Sequence, residues 1–251
     1  MISVVILGSG NVAQHLIRAL KDAPGIAVKM AYARTPQNLT HLLPGEKITD
    51  DFSKLPEADI YMISVSDDAI NKVSASLPFS GRLVVHTSGT KSVGELDPKN
   101  RRGVFYPLQT FSKTREIDYS QIPLCLEADA DDMKILESVA SAISKNHYHM
   151  DSQKRKALHV AAVFVSNFVN HMYVAGQSVA SDHDIPFDVL KPLILETAQK
   201  VQSMEPAQAQ TGPAIRNDQG TLTAHKEFLK DSRFAKLYEI LTKSIQNEQK
   251  L

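Results

Sequence analysis

The chain has 251 residues, enough to bury a substantial core in one large domain or two modest ones. Hydrophobic residues make up 43% and charged residues 22%, with 28 basic side chains against 28 acidic ones. This excludes bulk disorder and leaves no whole-chain charge to draw the protein to nucleic acid or an anionic membrane. One cysteine, Cys125, excludes an intramolecular disulfide and a multi-cysteine metal site. Within the apolar run Ile122-Pro-Leu-Cys-Leu126 it reads as a packed, inert thiol.

From residue 2 to about 126, short β-branched runs alternate with longer helical patterns, which predicts a parallel sheet with crossover helices. Ile2–Leu7 is nearly all apolar, as expected of a central strand covered on both faces. Strands are also expected at 27–33, 47–49, 60–65, 83–86, 103–106 and 122–126. Between them, Asn11 to Lys21 places Val12, Leu16, Ile17 and Leu20 on one helical stripe, Asp67 to Leu77 opens with an acidic pair suited to a helix N-terminus, and Asp129 to Lys145 repeats the pattern. After His147-Tyr-His-Met150 no further strand is evident. A long helix is expected from Asp151-Ser152 to Gly176, with others at 186–204 and 231–247 and a loop at Pro206–Pro213. No apolar stretch of about 18 residues reads as a membrane span. The apolar residues before Gly8 lack a basic n-region, so a cytoplasmic protein without membrane contact is expected.

Gly8-x-Gly10-x-x-Ala13 sits between an apolar strand and an amphipathic helix, the context that a dinucleotide-binding turn requires. Gly8 permits the tight turn, Gly10 lets a pyrophosphate approach the backbone, and Ala13 lets the helix pack on the sheet. The backbone N–H groups of Ser9, Gly10, Asn11 and Val12 lie where the helix dipole favours an anion. NAD-selective sites place an acidic residue at the end of the second strand for the ribose 2′-hydroxyl. Here the chain reads Tyr32-Ala33-Arg34-Thr35. The guanidinium of Arg34 and the hydroxyl of Thr35 suit a 2′-phosphate, so NADP(H) is the expected cofactor. The fold class is therefore α/β: a Rossmann-type, mainly parallel sheet over residues 1–150, followed by an all-α domain over 151–251.

Gly8-Ser-Gly-Asn-Val-Ala13, Ala33-Arg34-Thr35 and Ile63-Ser-Val-Ser-Asp-Asp-Ala-Ile70 together resemble a superfamily of NADP-binding domains. It includes pyrroline-5-carboxylate reductases, β-hydroxyacid and 6-phosphogluconate dehydrogenases, and deazaflavin-dependent NADP reductases. His86-Thr-Ser-Gly-Thr90 and Phe105-Tyr-Pro-Leu-Gln-Thr-Phe111, with the helical half, narrow the resemblance to an uncharacterised bacterial group with a C-terminal helical domain of unknown function. The resemblance implies that Val65, Ser66 and Ala69 pack along the ribose and pyrophosphate, and that His86 to Ser88 approach the nicotinamide.

Hydride transfer to a carbonyl or imine needs a proton donor or electrostatic stabiliser near the developing charge. The β-hydroxyacid dehydrogenases use a lysine on the first long helix, with an asparagine four residues on. Here Val160 follows Lys156 at that spacing, so their mechanism does not transfer directly. The candidates that remain are His86, whose imidazole titrates near neutral pH, and the helix residues His159, Asn167 and Asn170. At about 100° per residue, His159 and Asn170 fall roughly 20° apart around the helix axis. Tyr106, Gln109 and Thr110 are candidate pocket residues, and Arg216 either binds a substrate carboxylate or serves a capping or interface role. His147 and His149 share one face of a strand, but nothing completes a metal site, so none is expected.

The expected activity is NADP(H)-dependent reduction or oxidation of a small oxo, imino or hydroxy compound in a cleft between the domains. NADP-to-deazaflavin electron transfer, and NADP(H) sensing or scaffolding without turnover, are the alternatives. The long helix has apolar positions widely distributed around it, so homodimerisation through the helical half is expected.

Overall fold

The protein is described by a computed structural model covering residues 1–113 and 115–248; positions 249–251, the end of the expected helical domain, lie outside the described residues. It divides into two compact units, 1–167 and 168–251. The change in secondary structure near residue 150 thus precedes the break between the units. The first unit retains the opening turns of the long helix, because they pack on its sheet through Ser152 and Arg155.

The first unit is built on β1 (Ile2–Leu7), β2 (Ile26–Tyr32), β3 (Ile48–Thr49), β4 (Ile60–Ile63), β5 (Leu83–His86), β6 (Arg101–Pro107), β7 (Leu124–Glu127) and β8 (His147–His149). They form one sheet in the order β3-β2-β1-β4-β5-β6-β7-β8. All neighbouring pairs are parallel except β6 and β7. The chain fills one side of β1 and then crosses to β4 on the other. This reversal of strand order is where a doubly wound sheet opens a crevice beyond its carboxyl ends. The apolar run of β1 is explained by its position: Val4 pairs with Val28 on one side and Ile60 on the other, and both faces are covered.

One face carries α1 (Asn11–Lys21) and α3 (Ala130–Ile143), which bury Leu16, Ile17, Leu20, Leu136 and Val139 against Val4, Ile6 and Phe105. The other packs Leu77, Ile70 of the short α2 (Ile70–Ala75) and Leu96 against Val5, Leu7, Tyr61 and Val84. The expected helix from Asp67 begins instead as a 3-10 turn at Asp67–Ala69. Cys125 is buried in β7, and desolvation pushes its thiol up to about 11.

The long helix runs from Ser152 to Ser181, past Gly176. It comprises α4 (Ser152–Ala162), a π-helical stretch at Val163–Phe168 and α5 (Val169–Ser181). This 30-residue helix has the length and composition that a membrane crossing would need, a test that core helices of soluble proteins also pass, and the expectation of no such apolar stretch is corrected to that extent. Ser166, Asn167, Asn170 and His171 break the run to the eye without adding charge.

The second unit continues with α6 (Lys191–Ser203), α7 (Pro206–Ala209), α8 (Gln219–Phe228) and α9 (Ala235–Glu248). α7 lies in the expected loop. α8, unexpected from a Gly-Thr-rich opening, is started by Asp218, whose carboxylate accepts from the Thr221 N–H at 3.1 Å and the Thr221 hydroxyl at 2.7 Å.

Candidate functional site

Beyond the carboxyl ends of β1 and β4, the first unit contains a cavity of about 820 Å³. Its floor is the β1–α1 turn. Gly8 has φ +143°, and a Cβ there would land on the Ser64 carbonyl at the end of β4, so glycine is required by both conformation and close approach. Gly10 differs: a Cβ on it would meet no protein atom within 4 Å, and the space it leaves belongs to the cavity. α1 begins without a side-chain cap or an acidic residue in its first turn. The amides of Asn11 and Val12 precede the first intrahelical hydrogen bond, from Gln14 N–H to Gly10 O, and are free to receive an anion. A pyrophosphate fits this cradle in size, charge and donor set.

Asn11 and His15, one turn apart on α1, hold the loop after β6. Asn11 Nδ2–H donates to Phe111 O at 2.8 Å, and His15 Nε2 meets Ser112 O at 2.9 Å. Phe111 thereby joins the cavity wall above the turn.

Arg34 and Thr35, both exposed at the end of β2, line one end of the cavity with Asn38. Tyr32 and Phe52 stack there with ring centroids 4.0 Å apart, and both line the wall. Lys72 on α2 is a further lining cation. Phe52, Asn38 and Lys72 carry no sequence signal for this position, because their approach depends on how the loop after β3 and the face of α2 fold back. Val65, Ser66 and Ala69 form the wall beyond β4, and Ser88 and Gly89 the wall beyond β5.

His159 of α4 also lines the cavity. Its Nδ1 lies 3.1 Å from the Tyr106 hydroxyl, and the rings meet edge to face with centroids 6.1 Å apart. Burial pushes the Tyr106 phenol up to about 12, so it stays protonated at physiological pH. α4 is fixed one turn below. Arg155 is fully buried, pairs with the Glu127 carboxylate of β7 and donates to Lys91 O at 2.5 Å.

His86 is placed differently from the expectation. It does not reach the cavity wall. It is fully buried, accepts at Nδ1 from the Ser88 N–H at 3.2 Å, and therefore carries its proton on Nε2, 3.2 Å from Ser92 O. Burial, reinforced by the Arg155 charge, lowers its pKa to about 4, so the ring is neutral near pH 7. Both nitrogens serve the backbone of the 86–92 loop. Asn167 and Asn170 are exposed and absent from the cavity wall. The 100° spacing that aligned Asn170 with His159 does not hold through Val163–Phe168, where the bonding is i to i+5. Gln109 lines the cavity, whereas Thr110 does not. In the second unit Arg216 is exposed. His149 meets Glu137 at 2.8 Å, and no cluster of three or more potential metal ligands occurs among the described residues.

Comparison with solved structures places this architecture. A Bacteroides fragilis protein provisionally described as an NADP oxidoreductase is 37% identical, with 98% of each chain covered and a TM-score of 0.87. The family model for a domain of unknown function, DUF2520, matches residues 122–245. The chain belongs to this family of Rossmann-fold NADP oxidoreductases with a DUF2520 C-terminal domain. A Thermotoga maritima protein shares the fold at 21% identity, with 99% of this chain and 100% of that one covered and a TM-score of 0.76. A reductive aminase from Aspergillus terreus, solved with NADPH and ethyl levulinate, shares it at 11% identity, 100% and 94% coverage and a TM-score of 0.74. None of the curated proteins matches the sequence. The family's DUF2520 region begins inside the sheet, at the entry to β7, and so includes α3 and β8 along with the helical unit.

Proposed function

We propose that the chain is an NADP(H)-dependent oxidoreductase acting on a small oxo, imino or hydroxy compound. The observation that carries this reading is the single cavity that joins Arg34 and Thr35, the Gly8–Val12 turn and His159. Gly10 and the uncapped start of α1 would hold the pyrophosphate, Arg34 and Thr35 the 2′-phosphate, and Val65, Ser66, Ala69 and Ser88 the intervening wall. NADPH, when bound, supplies the hydride. His159 is the group best placed to deliver the matching proton: the oxygen or nitrogen of a reduced C=O or C=N group would take it from the imidazolium form of His159, leaving that ring neutral. His86 instead shapes the loop beside it.

Titration of NADPH and NADH into the protein tests the cofactor. NADPH should bind more tightly, and Arg34→Ala should weaken it about 10- to 100-fold, the worth of one or two hydrogen bonds to a charged group, while leaving NADH unchanged. Equal affinities for the two nucleotides would sink the 2′-phosphate assignment. On a panel of small carbonyls and imines, His159→Gln should bind NADPH normally and lose turnover. Tight NADPH binding by the native protein with no turnover across the panel would favour the sensing role.

The chain is also read as a cytoplasmic homodimer assembled through its helical half. Val165, Val174, Leu193 and Leu195 stand exposed, and a second copy would remove such faces from water.

A further inference from the structure

Three features meet around His159, which with Gly89 lines the cavity; Tyr106 and Arg155 stand behind that wall. The Tyr106 hydroxyl lies 3.1 Å from His159 Nδ1. Gly89 lies directly against both: a Cβ there would stand 2.6 Å from His159 Nδ1, 2.7 Å from Tyr106 Cζ and 2.9 Å from its hydroxyl oxygen. Arg155, one helical turn before His159 and on the same side of α4, is locked to Glu127 and to Lys91 O. The loop after β5, strand β6 and helix α4 therefore converge on a contact that exists only because position 89 has no side chain.

A neutral imidazole carries one proton, and its chemistry depends on which nitrogen holds it. A phenol is a strong donor, and His159 Nδ1 is the hydrogen-bond partner of this one among the described residues. We propose that Tyr106 is a positioning residue that donates to His159 Nδ1 and so holds the neutral ring in its Nε2–H tautomer, with Gly89 conserving the room the pair needs. The inference rests on the reading of His159 as the proton-delivering group. It leaves Nε2 as the nitrogen not engaged by Tyr106: the proton is delivered from the imidazolium, whose Nε2–H is transferred while Nδ1–H stays on the ring, which returns to neutral. When His159 is protonated, Nδ1–H donates and the same hydroxyl oxygen accepts, so the contact survives both charge states of the ring. The high pKa of Tyr106 keeps its proton in place in either case.

The test is ring 15N spectroscopy of the full-length protein with histidine labelled, at a pH where the ring is neutral, with the His159 signals assigned by difference against His159→Gln. The native protein should show Nδ1 unprotonated and Nε2 protonated. Tyr106→Phe should lower the ratio of the Nε2–H to the Nδ1–H tautomer about 3- to 10-fold, the worth of one neutral hydrogen bond. Gly89→Ala, which retains the phenol, should do the same by forcing the pair apart. An Nδ1–H tautomer in the native protein overturns the proposal outright, even if neither variant folds. An unchanged ratio in a folded Tyr106→Phe protein overturns it as well. NADPH binding, measured on the same samples by quenching of protein fluorescence, separates the two levels: failure of the native protein to bind NADPH removes the functional reading, while the tautomer result stands or falls by itself.

Discussion

The two units manage apolar surface in opposite ways. In the first, the sheet is covered on both faces, and residues such as Val5, Ile6, Leu16 and Met62 are fully withdrawn from water. In the second, the buried apolar residues among those described are Ala180, Ala214, Leu222 and Phe234, while Leu193 is 63% exposed and Leu195 57% exposed. An apolar cavity of about 650 Å³, lined by Met172, Val179, Phe228 and Leu237 among others, lies within that second unit. The first unit resembles a finished domain. The second leaves large apolar side chains in contact with water, and these open faces are what the proposed homodimer would cover.

The sharpest way to break this contrast is to truncate one leucine in each unit. Leu16→Ala should cost about 2–5 kcal/mol, with a matching fall in Tm that does not depend on protein concentration. Comparable loss from Leu193→Ala in dilute, monomeric protein would show that the second unit is packed after all.

Acid offers a test confined to the first unit. His86 has its folded pKa lowered to about 4 from an ordinary value near 6.5, so below pH 6.5 the unfolded chain takes up a proton that the folded chain refuses. Stability is intact above that pH and falls as the pH drops toward 4, by a total on the order of 3 kcal/mol. Denaturant unfolding of the native protein and His86→Gln at pH 7 and pH 4.5 measures this. The variant should lose less on acidification, and an equal loss would mean that burial of His86 does not control the acid limb.

The smallest direct effect is expected from Leu193→Ala itself. Its monomer stability should change by no more than about 0.5 kcal/mol, as for exposed sites generally. What should change is the concentration dependence of Tm and the sedimentation profile, as the dimer weakens. A monomeric native protein at micromolar concentration would remove the explanation offered for the open faces.

Much of the first unit is legible in the sequence because its elements announce themselves locally. The run Ile2–Leu7 is apolar because the strand is central, and Gly8 and Gly10 are glycines for two separable reasons, conformation at one and empty space at the other. Asp67-Asp68 does mark a helical start, although that start is a 3-10 turn. The relations that spacing cannot express were out of reach. Tyr106 and His159 are 53 residues apart and meet only because β6 and α4 approach each other. His86 looked catalytic because it ends a strand beside the expected nicotinamide, and only the two backbone contacts of its ring show it turned inward. The π-helical stretch at Val163–Phe168 shifts the phase of every position after it, and no residue there signals the change. α8 was hidden because its first residues are poor helix formers and its start depends on one aspartate.

The bracing of the 86–92 loop has a thermodynamic consequence. His86 holds it from below, Asp67 takes the Thr90 hydroxyl at 2.5 Å, the Ser88 hydroxyl accepts from the Thr90 and Lys91 amides, and Arg155 secures the Lys91 carbonyl. A segment of loop backbone is thus preorganised before any ligand arrives, and a molecule that docks against Ser88 and Gly89 sacrifices little chain entropy in doing so. The Ser88, Thr90 and Lys91 amides, each bonded within the loop, should exchange slowly, an unusual standing for a loop that borders a binding cavity.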